Sequence, residues 1–154
     1  MGTLKDQLRA DLVIAMKAKD DAAKSNLRMA LAAIGTEEVA GPLARELTDA
    51  EETTVVTREV NKRKDSAEAY AAGNRPELAA KEAAEAAFLS AYLPAPLTAE
   101  ELQALVDAEI AAASAGGEAP TMKQMGTIIK AVGAKAAGRA DGGTIAGLVR
   151  AALT

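Results

Sequence analysis

The chain has 154 residues, the length of one ordinary domain or of two small helical modules joined by a connection. It contains neither Cys nor His, which removes disulfides, thiolate nucleophiles and most transition-metal sites. Its formal charge of −4 argues against a binder that meets nucleic acid over its whole surface.

Hydrophobic residues make up 49% of the chain but aromatics only 2%, so helices in contact through small side chains must replace bulky packing. Ala, Leu, Glu, Lys and Arg dominate and no alternating β-branched run occurs, so the expected class is all-α. No stretch approaches the roughly 18 apolar residues of a membrane span. The N-terminal sequence alternates charged with apolar residues, unlike a signal peptide, and cytoplasmic residence is the expectation.

The first predicted helix covers residues 3–18, with Thr3 as cap and Leu4, Leu8, Leu12, Ala15 and Met16 inward. Asp20 and Asp21 place negative charge at the start of a second helix striped by Leu27, Leu31 and Ile34, and Gly41-Pro42 opens a loop to about Leu47. Thr48 and Glu51 have the spacing of a capping box for a third helix reaching about Ala72. Val56, Val60, Ala67 and Tyr70 are expected to face inward, with Arg58, Glu59, Lys62, Arg63, Lys64 and Asp65 outward. Gly73-Asn74 ends that helix, and Asn74-Arg75-Pro76 reads as the cap and first turn of a fourth running to Tyr92, which buries Leu78, Phe88 and Leu89.

Leu93-Pro94-Ala95-Pro96-Leu97 is the strongest boundary, since two prolines within three residues impose an extended connection. It divides an N-terminal four-helix part, residues 1–93, from a C-terminal three-helix part, residues 98–154. In the latter, Thr98 and Glu101 form a second capping box before Leu102, Leu105, Val106 and Ile110. Gly116-Gly117 precedes a short helix marked by Met122, Met125, Ile129 and Val132, and Ile145, Leu148, Val149 and Leu153 mark the last.

Three blocks now carry a resemblance. Arg58-Glu-Val-Asn-Lys-Arg-Lys-Asp-Ser66, Tyr92-Leu-Pro94 with Leu97 and Glu100-Glu-Leu102, and Met125-Gly126 with Gly138-Arg-Ala-Asp-Gly142 look like successive signatures of stand-alone proteins of the GatB/YqeY family. The third block is also similar to the tail of the B subunit of the glutamine-dependent aminoacyl-tRNA amidotransferase, a carbon–nitrogen ligase. The resemblance implies a C-terminal bundle of that tail type and an association with tRNA in translation, with a synthetase or amidotransferase component as a possible protein partner. It implies no amide transfer by this chain, because the regions that hydrolyse glutamine and use ATP in that enzyme have no counterpart here. No catalytic residue, cofactor or metal is expected.

The residues themselves leave two readings open at each candidate site. Residues 121–154 hold five cations, Lys123, Lys130, Lys135, Arg139 and Arg150, against one carboxylate, a net +4 that leaves −8 for residues 1–120. These cations could track an RNA backbone or form a solvated face. Gly138 with a positive φ and Asp141 as a helix cap are the structural reading of Gly138–Gly142, and a phosphate at Arg139 is the functional one. Gly126 and Gly142 complete that structural motif. Arg58, Lys62, Arg63 and Lys64 form a secondary candidate surface, partly neutralised by Glu59 and Asp65. Glu82 and Glu85 read as a solvated face rather than an acid–base pair. An adaptor groove between Ala-rich helices is the alternative to RNA binding.

Overall fold

The computed structural model describes residues 3–154, and among them every regular element is helical. The chain divides into two compact units, Met1–Pro94 and Ala95–Thr154. The first holds α1 (Thr3–Ala18), α2 (Asp21–Glu38), α3 (Asp49–Ala72) and α4 (Pro76–Ser90). The second holds α5 (Ala99–Ala113), a single 3₁₀ turn over Met122–Gln124, α6 (Met125–Ala136) and α7 (Gly142–Leu153). Among the described residues no helix is long and apolar enough to cross a membrane.

Local chemistry accounts for most helix starts. Asp20 accepts the Ala23 amide at 3.1 Å to begin α2, and Lys19, at φ +56°, reverses the chain just before it. Thr48 and Glu51 form the reciprocal capping box on α3, and Thr98 and Glu101 repeat it on α5. The start of α1 is different. Thr3 is already helical rather than its cap, so the flanking position falls on Gly2, outside the described residues. Two carboxylates of α3 do the capping instead: the Thr3 amide donates to Asp49 Oδ1 at 2.8 Å and the Lys5 amide to Glu52 Oε2 at 2.9 Å. Glu52 is only 1% exposed, and burial pushes its carboxyl above the ordinary range.

In the first unit Leu8, Leu27, Ile34, Leu47, Val56 and Leu89 are sealed from solvent together. In the second, Val106, Val132 and Val149 form the centre, one from each helix. The small side chains let helices approach closely, as the composition required.

Several expectations are corrected by the packing. Met16 and Tyr70 are exposed, Met16 because its neighbour Ala15 takes the buried position. Tyr70 lies in the last turns of α3, beyond the buried stripe that ends at Val60. Asn74 is not the cap of α4: at φ +58° it takes the left-handed position that closes α3, and Arg75 precedes Pro76 without a capping side chain. The helix then stops at Ser90, and Leu78 is only half-buried. Met122 belongs to the 3₁₀ turn and is exposed, while Ile128 takes the core position.

Candidate functional site

The inward stripe of α6 is Ile128, Val132 and Ala136, one residue per turn, and that of α7 is Ile145 and Val149. Lys130 lies two residues from both Ile128 and Val132, which at 100° per residue puts it on the far side of α6, in solvent. Lys123 in the 3₁₀ turn and Arg150 on α7 are also exposed. Lys123, Lys130 and Arg150 make no ion pair among the described residues, and α6 and α7 contain no carboxylate at all. Each of α1 to α5 carries at least one Asp or Glu. Asp141, the one acidic residue after Glu118, is committed: it accepts the Thr144 amide at 2.9 Å and caps α7.

The other two candidate cations of this unit are engaged. Lys135 pairs with Glu109 of α5. Arg139 follows a tight reversal made by Ala137 at φ +49° and Gly138 at φ +80°. Its Nε donates to the Ala95 carbonyl at 2.7 Å, and its own carbonyl accepts the Leu97 amide at 2.9 Å. Arg139 is therefore a structural tie as well as a charge. Its positive charge and the hydrogen bonds of the Thr98 cap together hold the Glu101 carboxyl below its usual range, the Thr98 amide contributing most.

Of the motif glycines, Gly138 is required by its φ, whereas a Cβ at Gly126 or Gly142 would meet nothing within 4 Å. Gly143, which the sequence reading passed over, is the crowded one: a Cβ there would come within 3.2 Å of Asp141 Oδ2. The cap carboxylate occupies that space. A capping Asp followed by two glycines was the available signal.

The C-terminal unit as a whole is not basic. Ala95–Thr154 holds the same five cations against six carboxylates, a net −1, because Glu100, Glu101, Asp107 and Glu109 lie on α5. The excess of positive charge is thus confined to α6, α7 and the turn before α6.

The secondary candidate surface comes apart. Arg58 pairs with Glu37 at 3.3 Å, and Lys62 with Glu59 at 3.1 Å, beside a groove of about 280 Å³ lined also by Ala33, Thr36 and Val55. Lys64 is exposed. Arg63 is not on the outer face: its side chain is 16% exposed and sits among Glu59 at 3.5 Å, Glu85 at 3.4 Å and Glu82 at 4.0 Å, against the Met29 sulfur at 3.2 Å. Glu59 turns inward with it. Glu82 and Glu85 correspondingly leave the solvated face, because α4 packs on α3 and brings them against Arg63.

Several hydroxyls, such as those of Thr36, Thr53, Thr54 and Ser114, are spent on carbonyls of their own helices. Among the described residues no group of three or more acidic side chains is placed to hold a metal ion.

The sequence matches the profile of the YqeY-like proteins over residues 5–153, nearly its whole length. The chain belongs to the YqeY-like family. A search of curated proteins finds no match to it. Family membership spans both units, so the acidic four-helix part and the cation-bearing helices of the second are parts of one YqeY-like architecture.

Proposed function

We propose that this YqeY-like chain is a non-catalytic module that associates with tRNA in translation, through Lys123, Lys130 and Arg150. The observation that carries this reading is the charge pattern of α6 and α7: they hold exposed cations and no carboxylate, in a chain whose other helices all carry acid. Cations without intramolecular partners keep their full attraction for a phosphate, whereas Lys135 and Arg139 must share theirs. Two further features support contact with a polyanion backbone. Gly126 and Gly147 face open space within helices, where glycine costs about 0.5–1 kcal/mol against alanine. Bare backbone there admits close approach. With two Tyr, one Phe and no Trp in the chain, recognition rests on shape and phosphates rather than on stacked bases.

The test is a titration of the full chain with bulk tRNA. Binding at low salt that weakens steeply as salt rises is the expected result, and K123E/K130E/R150E, a change of six charge units, should remove it. Undiminished binding by that variant overturns the reading.

A protein-adaptor reading rests on a different observation. Pro120, Thr121, Met122, Lys123 and Leu153 line an apolar groove of about 500 Å³, with Met122 48% exposed. An apolar side chain of a synthetase or amidotransferase component would bury there, and such binding is insensitive to salt.

A further inference from the structure

The connection Leu93-Pro94-Ala95-Pro96-Leu97 looks in sequence like a linker, yet both of its ends are tied. On the first side the Tyr92 hydroxyl donates to Asp11 Oδ2 at 2.6 Å, and the side chains of Tyr92 and Leu93 pack on the core of the first unit. Burial, and then the Asp11 carboxylate, push the Tyr92 phenol up to about 12, so it remains a donor at any ordinary pH. On the second side Arg139 grips the chain twice, by Nε on the Ala95 carbonyl and by its carbonyl on the Leu97 amide. The Leu97 side chain packs on the second core.

Between these ties little freedom remains. The pyrrolidine rings fix φ at Pro94 and Pro96. Each proline also confines the residue before it, Leu93 and Ala95, to extended geometry. Pro96 is further enclosed by the two Arg139 bonds on its neighbours.

We propose that the connection is clamped at each end to its own unit, by Tyr92 on the first side and by Arg139 on the second. Arg139 is then a positioning residue: it sets where the second unit begins rather than meeting a ligand first. The guanidinium suits this task because Nε is a directed donor at the base of a planar fork, which an ammonium cannot reproduce.

The amides of Tyr92, Leu93, Ala95 and Leu97 report on the two clamps directly by ¹⁵N relaxation of the full chain. In the unaltered protein all four should have order parameters of about 0.85, those of rigid backbone. Arg139→Ala should lower Ala95 and Leu97 below about 0.6 and leave Tyr92 and Leu93 unchanged. Tyr92→Phe should do the reverse, loosening Tyr92 and Leu93 alone. The amides of Val106, Val132 and Val149 show whether the second unit is still folded. Should Arg139→Ala unfold it, Arg139→Lys, which keeps the charge, must show the same loosening. Ala95 and Leu97 already mobile in the unaltered protein, or unmoved in a folded Arg139 variant, would overturn the proposal.

Discussion

The two units place their charged side chains differently. In the first, charged side chains are structural: Glu52 caps a neighbouring helix from the interior, Arg63 sits among three carboxylates, and Lys5 reaches across to Glu38. In the second, the core is closed by Val106, Val132 and Val149, and a cross-helix ion pair joins Lys135 to Glu109. The difference teaches where binding can be altered without cost to the fold. Removing Glu52 or Arg63 from the first unit breaks a partner's environment, whereas Lys123, Lys130 and Arg150 have no ion-pair partner to lose among the described residues.

The largest expected effect tests whether the units are separate at all. Leu8 is 0% exposed in the first core, so Leu8→Ala should destabilise that unit by about 2–5 kcal/mol. Hydrogen exchange should show faster opening of α1 to α4 with α5 to α7 unchanged. Equal loss of protection in both would merge the two regions into one cooperative body.

Next in size is the interior cap. Glu52→Ala leaves the Lys5 amide unpaired and should cost the first unit about 1–3 kcal/mol, measured by denaturant melts. The matching change in the second unit, Asp141→Ala, removes the exposed cap of α7 and should cost about 0.5–2 kcal/mol. If the second exceeds the first, buried charge is not what distinguishes the regions.

These two caps also show how far the sequence could be read. Asp141 was legible because a local cap needs only spacing: an acid just before a helical run. Thr48 with Glu51 and Thr98 with Glu101 were legible for the same reason. Glu52 was not, since its partner amide lies 47 positions away, and no periodicity links α3 to the start of α1. The same limit moved Arg63, Glu82 and Glu85 from surface to interior: a charged residue on a helix reads as exposed until the helix packed against it is known. Among the candidate cations, the sequence showed Lys123, Lys130, Lys135, Arg139 and Arg150 gathered after Thr121. It could not separate the free ones from Lys135 and Arg139, whose partners come from α5 and from Ala95.

A smaller effect sharpens the functional half of the comparison. Gly126→Ala and Gly147→Ala meet no obstacle and should each stabilise the second unit by about 0.5–1 kcal/mol, seen as raised melting temperatures. If a polyanion approaches the bare backbone, the same variants weaken tRNA binding. Stabilisation with unchanged binding would remove the glycines from the contact surface.

The smallest effect is on the pH dependence of stability. The Arg45 fork, followed by the Thr48 amide, holds the Glu51 carboxyl at about 2 against an ordinary 4.5. A depressed carboxylate contributes stability that is present above about 4.5 and lost as pH falls toward 2. Glu52, raised by burial, has the opposite sign, its contribution declining as pH rises through its elevated value. Melts across pH 2 to 6 should therefore show a shallower acid loss for Glu51→Gln than for the unaltered chain, confined to the first unit.

The most direct test of the account sets the two regions against each other in one measurement, the affinity of the full chain for tRNA at several salt concentrations. Two charge-reversed variants are compared, K123E/K130E/R150E in the second unit and R58E/K62E/K64E in the first. The unaltered chain should show a log–log salt slope of about −2 to −3, that of three phosphate contacts. Reversal in the second unit should abolish binding, and reversal in the first should leave the slope unchanged. Loss of binding from the first-unit variant alone, with the second-unit variant intact, would contradict it.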